Sequence, residues 1–184
     1  MSQTKSIYSQ DLRARSNDAV FSFYYHNYKE GELDLNADYQ RDYVWGYTEQ
    51  QALLQSVFNR VPLQATSLIV RETFSTANKP YCEQVDGKQR VTTLIKFQDN
   101  EIPYVDPETS KKIYFKDLSR FDQSEFKKTR LPYLSLETSD GSEPTRLQVL
   151  EYFHRTNFAG VPQSEEHREY IEAEIKKEEA KQAI

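Results

Sequence analysis

The residues best suited to chemistry lie together at Glu83-Gln84-Val85-Asp86-Gly87-Lys88-Gln89-Arg90-Val91-Thr92-Thr93. An apolar strand pattern runs into Asp86-Gly87, and a helical pattern begins at once. A helix N-terminus carries free N–H groups and a partial positive charge, which suit a phosphate. Gly87 lets a ligand approach the backbone, and Lys88 and Arg90 add cationic donors, the guanidinium able to grip a phosphate with two parallel bonds. Asp86 is placed to hold a Mg2+ ion or position a water, and Gln89 to orient either. A purely structural alternative stands beside this: Asp86 as N-cap, Gln89 as its capping-box partner, and both cations solvated.

Two further segments carry candidate residues. In Tyr39-Gln40-Arg41-Asp42-Tyr43-Val44-Trp45, Arg41 sits among aromatic and apolar neighbours, where an unpaired charge is costly. It wants an anion: either an internal carboxylate (Asp38, Asp42 or Asp86) or a ligand. The single Trp is either core or a stacking surface for a base. In Phe153-His154-Arg155-Thr156-Asn157-Phe158-Ala159-Gly160, Arg155 and Asn157 fall at a helix C-terminus. There they serve either as dipole complement and cap, or as part of an anion site shared with the other two segments.

Other chemistries find no support. The G-x-x-x-x-G-K-[ST] phosphate loop is absent, and the three histidines show no paired or metal-ligand spacing. One cysteine, Cys82, excludes an intramolecular disulfide and reads as a small core residue in a strand.

The elements that must position these residues follow from periodicity. Helices are predicted over 16–30, capped by Ser16 or Asn17, and over 48–59, where Thr48 and Gln51 form a capping-box pattern. Further helices are expected over 86–97, in part of 115–127, over 143–156 with Pro144 in the first turn, and from Ser164 to about Gln182. Strands are expected at Leu33–Leu35, Thr66–Arg71, Tyr81–Val85 and Leu131–Glu137, the middle two forming a hairpin through the polar stretch 73–80. The last helix has a thin apolar stripe of Tyr170, Ile171 and Ile175 and a solvated face on which Glu172 and Lys176 pair; it needs the domain or a partner to pack on. This mixture indicates α/β or α+β without regular alternation: a small mixed sheet flanked by helices, with a charged C-terminal helix. Residues 1–163 are expected to form the ligand-binding domain and 164–184 the appended helix.

Composition sets the bounds. The 184 residues carry 24 Lys and Arg against 29 Asp and Glu, a net charge of -5, which argues against coating nucleic acid by bulk charge. Only 37% of residues are hydrophobic, but 13 Tyr and 10 Phe supply large buried areas. No membrane span or secretory signal is expected, and a cytoplasmic setting, in a bacterial cell or a phage-infected host, fits the cysteine usage.

In order, the three segments resemble the ParB/sulfiredoxin-like domain at the N-terminus of GmrSD-type, modification-dependent restriction endonucleases. That family shows Y/F-Q-R-x-Y-x-W, then D-G-x-Q-R-x-T-T, then F-x-R-x-N-x-x-G, matched here by Tyr39–Trp45, Asp86–Thr93 and, with His154 and Thr156 between, Phe153–Gly160. Lys88 stands where the family usually has Gln. The resemblance implies a compact ParB-like fold and nucleoside-triphosphate binding, with hydrolysis, that regulates DNA cleavage in a restriction or phage-defence (or counter-defence) system. It implies a hydrolytic set of Asp86, Gln89 and Arg90. Tyr39, Gln40, Arg41, Gly87, Lys88, Arg155 and Asn157 would line the nucleotide site, with Mg2+ at Asp86. A His-Asn-His nuclease domain is not recognised in the chain, which is read as a stand-alone domain, a separate subunit or a fragment. The alternatives are a non-enzymatic module docking a nuclease subunit or host defence protein, and a ParB-like protein that binds or nicks DNA; self-association is compatible with each.

Overall fold

The computed structural model describes residues 12–71, 79–158 and 164–182. Among these the chain forms six α-helices, a mixed five-stranded sheet and a separate two-stranded ribbon, an α+β architecture. It divides into two compact units: Ser16–Leu134, and Met1–Arg15 with Ser135–Ile184.

The first unit is built on aromatics. Helix α1 (Phe21–Lys29) buries Phe21 and Tyr24 completely. A short strand β2 (Leu33–Asp34) follows, then helix α2 (Tyr47–Phe58), which buries Leu53, Leu54 and Val57. Strand β3 (Thr66–Val70) runs antiparallel to β4 (Cys82–Asp86), and β2 joins β4 in parallel. Helix α3 (Lys88–Gln98) buries Val91, Leu94, Ile95 and Phe97 in the same core. The ribbon β5 (Tyr104–Val105) and β6 (Lys112–Ile113) and helix α4 (Arg120–Lys127) close the unit. Phe126 meets Phe21, Phe97 and Phe115 with ring centroids 5.0–5.6 Å apart, mostly edge-to-face or tilted, as aromatic quadrupoles prefer. Cys82 is fully buried, and desolvation raises its thiol to about 12, so it is an inert core residue as expected.

Strand β1 (Leu12–Asn17) neighbours β7 (Tyr133–Thr138) in the sheet, and in the second unit helices α5 (Arg146–Phe158) and α6 (Glu165–Gln182) pack together. Ile171 and Leu150 are fully buried, and Val149 and Phe153 nearly so. Arg146 reaches Glu174 at 3.3 Å and Glu178 at 3.6 Å, tying α6 to α5. The Ser164 hydroxyl accepts the N–H of His167 at 3.2 Å, the N-cap the sequence indicated.

Several local expectations change. Ser16 and Asn17 end strand β1 instead of capping α1, whose N-cap is Val20. Helix α2 starts one residue early, with Gly46 as N-cap and the Glu49 carboxylate accepting the Gly46 N–H at 3.0 Å; Thr48 caps nothing. Gln51 instead bridges to the ribbon, donating to the Pro103 carbonyl at 2.8 Å and accepting the Val105 N–H at 2.7 Å. Pro144 precedes α5 and does not lie in its first turn. Glu172 pairs with Arg168 at 2.9 Å and His154 at 3.3 Å, and Lys176 is not its partner. The stretch 73–80 lies almost wholly outside the described residues, as does Gly160.

Candidate anion site at the strand-to-helix corner

The corner between β4 and α3 is shaped by a register shift. Ser67 of β3 pairs with Asp86 and Leu68 with Gln84, so Val85 is the extra residue of a bulge just before the turn. Gly87 then takes φ +99°, a left-handed backbone in which any other residue is strained. A Cβ there would also lie 2.7 Å from the Thr66 Cγ2 and 2.9 Å from its Cβ. Thr66 is itself fixed: its hydroxyl shares a 2.7 Å hydrogen bond with the fully buried Tyr24 hydroxyl, which donates onward to the Leu131 carbonyl at 3.2 Å. The Tyr24 phenol is raised well above its ordinary value, first by desolvation. The turn is thus set against a rigid wall.

Gly87 is the N-cap of α3 and offers no side chain, so the N–H groups of Lys88, Gln89 and Arg90 have neither an intrahelical acceptor nor a side-chain cap among the described residues. The N-cap is therefore Gly87 and not Asp86, and Gln89 does not reach back to complete a capping box. Asp86 is about one-third exposed and faces Arg90 at 3.8 Å.

The cations divide into two kinds. Arg90 is mostly buried and internally committed: Nη1 donates to the Gln64 carbonyl, Nη2 to the Ala65 carbonyl at 3.2 Å, and Asp86 supplies the counter-charge. Burial lowers its pKa, with Asp86 and Tyr24 opposing. Lys88 is nine-tenths buried, yet its ammonium makes no hydrogen bond or ion pair with a described residue. Desolvation lowers its pKa, with Asp42 and Asp34 the charges that oppose. Arg41 is half-buried and likewise has no internal partner among the described residues; the expected alternatives of a bridge to Asp38, Asp42 or Asp86 are not formed.

The rest of the second segment supports the corner from behind. Tyr39 is buried and donates to Glu83 at 2.9 Å, its phenol pushed far up by desolvation and then by that carboxylate. Glu83 is held on its other side by Arg71 at 2.7 Å. The Gln40 amide donates to the Gln84 carbonyl, and the fully buried Gln84 donates to the carbonyls of Ser67 and Asp86. Trp45 packs against the hydrophobic core. Gln89 joins this segment to α3: its Nε2 donates to the Asp42 carbonyl at 2.9 Å, and its Oε1 accepts the N–H groups of Val44 at 2.9 Å and Trp45 at 3.2 Å.

Arg155 and Asn157 belong to the other unit. Arg155 is largely exposed and pairs with Glu151 at 3.4 Å one turn back; Asn157, inside the last turn of α5, donates to the Phe153 carbonyl at 3.1 Å. Among the described residues no three His, Cys, Asp or Glu side chains converge as a metal site. A divalent cation at Asp86 would therefore rest on that carboxylate and on oxygens of its own ligand, the usual arrangement for Mg2+ on phosphates.

Fold and corner define an α+β domain with an open, cation-flanked helix N-terminus. The family model of the GmrSD restriction endonuclease N-terminal domain matches residues 21–182, nearly the whole chain, and the protein belongs to that family. The family marks it as a component of a restriction or defence system. No curated protein and no solved structure matches the chain. Among the described residues no helix is long and apolar enough to cross a membrane.

Proposed function

We propose that the domain binds the phosphates of a nucleoside triphosphate at the N-terminus of α3, and that binding and hydrolysis there regulate DNA cleavage in its restriction system. The observation that carries this reading is Lys88: a nine-tenths buried lysine that Asp42 and Asp34 influence only at a distance and that forms no ion pair among the described residues, on the first residue of a helix whose leading N–H groups have no acceptor among them. Its stem is covered while its ammonium keeps access to solvent, so a cation already held in place is available to a phosphate through a charge-assisted hydrogen bond. Arg41, also without an ion pair among the described residues, is the second cation. Arg90 serves the site indirectly, because its guanidinium is committed to the Gln64 and Ala65 carbonyls and holds the turn that presents Asp86 and Gly87. Asp86 is the carboxylate available to hold Mg2+ or a water; phosphoryl transfer needs chiefly positioning and charge neutralisation, so the set requires no covalent nucleophile.

Calorimetric titration of GTP, CTP and ATP with Mg2+ tests the reading against Lys88→Ala and Arg41→Ala. At least one nucleotide binds below millimolar Kd, and each variant weakens it by about tenfold or more, the worth of one charge-assisted hydrogen bond. Absence of binding below millimolar, or variants that bind like the parent, overturns it.

A further inference from the structure

Gln89 was expected to orient a hydrolytic water, but its amide is otherwise engaged. Both lone pairs of Oε1 are taken by the N–H groups of Val44 and Trp45, and one Nε2 hydrogen goes to the Asp42 carbonyl. The oxygen has no acceptor capacity left for a water. The segment it grips lies between β2 and α2 and is held by side chains in place of ladder hydrogen bonds. Tyr43 shares a 2.9 Å hydrogen bond with the Thr93 hydroxyl, which donates to the Gln89 carbonyl at 2.8 Å. From α2, Gln50 donates to the Tyr43 hydroxyl at 3.1 Å and the Trp45 carbonyl at 3.0 Å. Arg41 is the residue just before this stapled stretch, and its own side chain anchors nothing among the described residues.

Resting on the triphosphate reading above, we propose that Gln89 is a positioning residue: a staple between α3 and residues 42–45 that presets Arg41 for the ligand bound beside Lys88. Ordering a free backbone residue costs about 1–2 kcal/mol, and a loop ordered before binding spares the ligand that cost. The role of Gln89 therefore runs through Arg41 and appears in affinity, not in the rate once the site is filled.

Three measurements on the intact chain test this. Hydrogen exchange without nucleotide follows the Val44 and Trp45 amides, which lose protection in Gln89→Ala and keep it in Arg41→Ala, where the Gln89 amide is intact. Nucleotide titration forms a double-mutant cycle: Gln89→Ala raises Kd by about tenfold with Arg41 present and leaves it unchanged in Arg41→Ala. Single-turnover hydrolysis at saturating nucleotide stays within about twofold of the parent, whereas loss of a water-orienting group lowers it by about 100-fold or more. Unchanged exchange, equal Kd effects in both backgrounds, or a rate loss at unchanged Kd overturns the proposal. A parent protein that binds no nucleotide while Gln89→Ala still exposes Val44 and Trp45 overturns the triphosphate reading and leaves the staple itself standing.

Discussion

Arg90 and Arg155 stand on helices in different units, each with a carboxylate one turn back, at Asp86 and Glu151. At the β4–α3 corner the Arg90 side chain is 16% exposed and is closed in by two backbone carbonyls as well as Asp86. On α5 the Arg155 side chain is 69% exposed and, among the described residues, pairs with Glu151 at 3.4 Å. The same residue type and spacing thus give two different objects. A buried guanidinium gains from protein acceptors, and Arg90 takes two from the backbone; an exposed one exchanges a carboxylate for water at little gain. The Arg90 bonds tie the corner to the Gln64–Ala65 backbone, and the side-chain-less N-cap Gly87 leaves the α3 N–H groups uncapped.

The largest effect expected from this contrast is at Arg90. Arg90→Ala leaves the Gln64 and Ala65 carbonyls and Asp86 without their donor and lowers the unfolding free energy by about 3 kcal/mol in urea denaturation. Arg90→Lys recovers little, since an ammonium lacks the planar fork that reaches both carbonyls. A loss below about 1 kcal/mol for Arg90→Ala would erase the distinction between the two regions.

A middle-sized effect is expected at the glycines. Gly87→Ala adds both left-handed strain and a clash with Thr66, and lowers stability by about 2 kcal/mol. Gly141, in the other unit, has φ +79° with no atom within 4 Å of the site of a Cβ. Gly141→Ala carries the strain alone, about 1 kcal/mol. Thermal melts of the pair separate the two contributions; equal losses would mean that Thr66 moves aside.

The smallest effect belongs to Arg155. Arg155→Ala changes stability by less than about 0.5 kcal/mol, as most exposed pairs do. A loss of 2 kcal/mol in the same denaturation series would show that its bond to Glu151 is part of a larger network.

Much of this architecture was legible in the residue order. The apolar face of Val91, Leu94 and Ile95 announced α3, the β-branched run from Thr66 announced β3, and Asp86-Gly87 marked the corner between strand and helix. Ser164 announced the start of α6. Less legible were features with little periodic signal: the two-residue strands of the β5–β6 ribbon, and β1, where Leu12 and Ala14 alternate with Arg13 and Arg15 for only four residues. The caps were misread because Thr48-x-x-Gln51 and Gly46-x-x-Glu49 overlap, and only geometry chooses between them.

Within the site, the sequence by itself determined which chemical groups gather at one strand-to-helix corner, since neighbours along a chain stay neighbours in any fold. It also placed Gly87 at the only kind of position where a missing Cβ matters. Tertiary structure alone decided how each group is used. The acceptors of Arg90 are backbone carbonyls 25 and 26 residues away, and every residue type carries such carbonyls. The partners of Gln89 lie 44–47 residues away, again on the backbone. Contacts to main-chain atoms leave no mark in residue identity, so the division between committed and open donors appears only once the chain has folded.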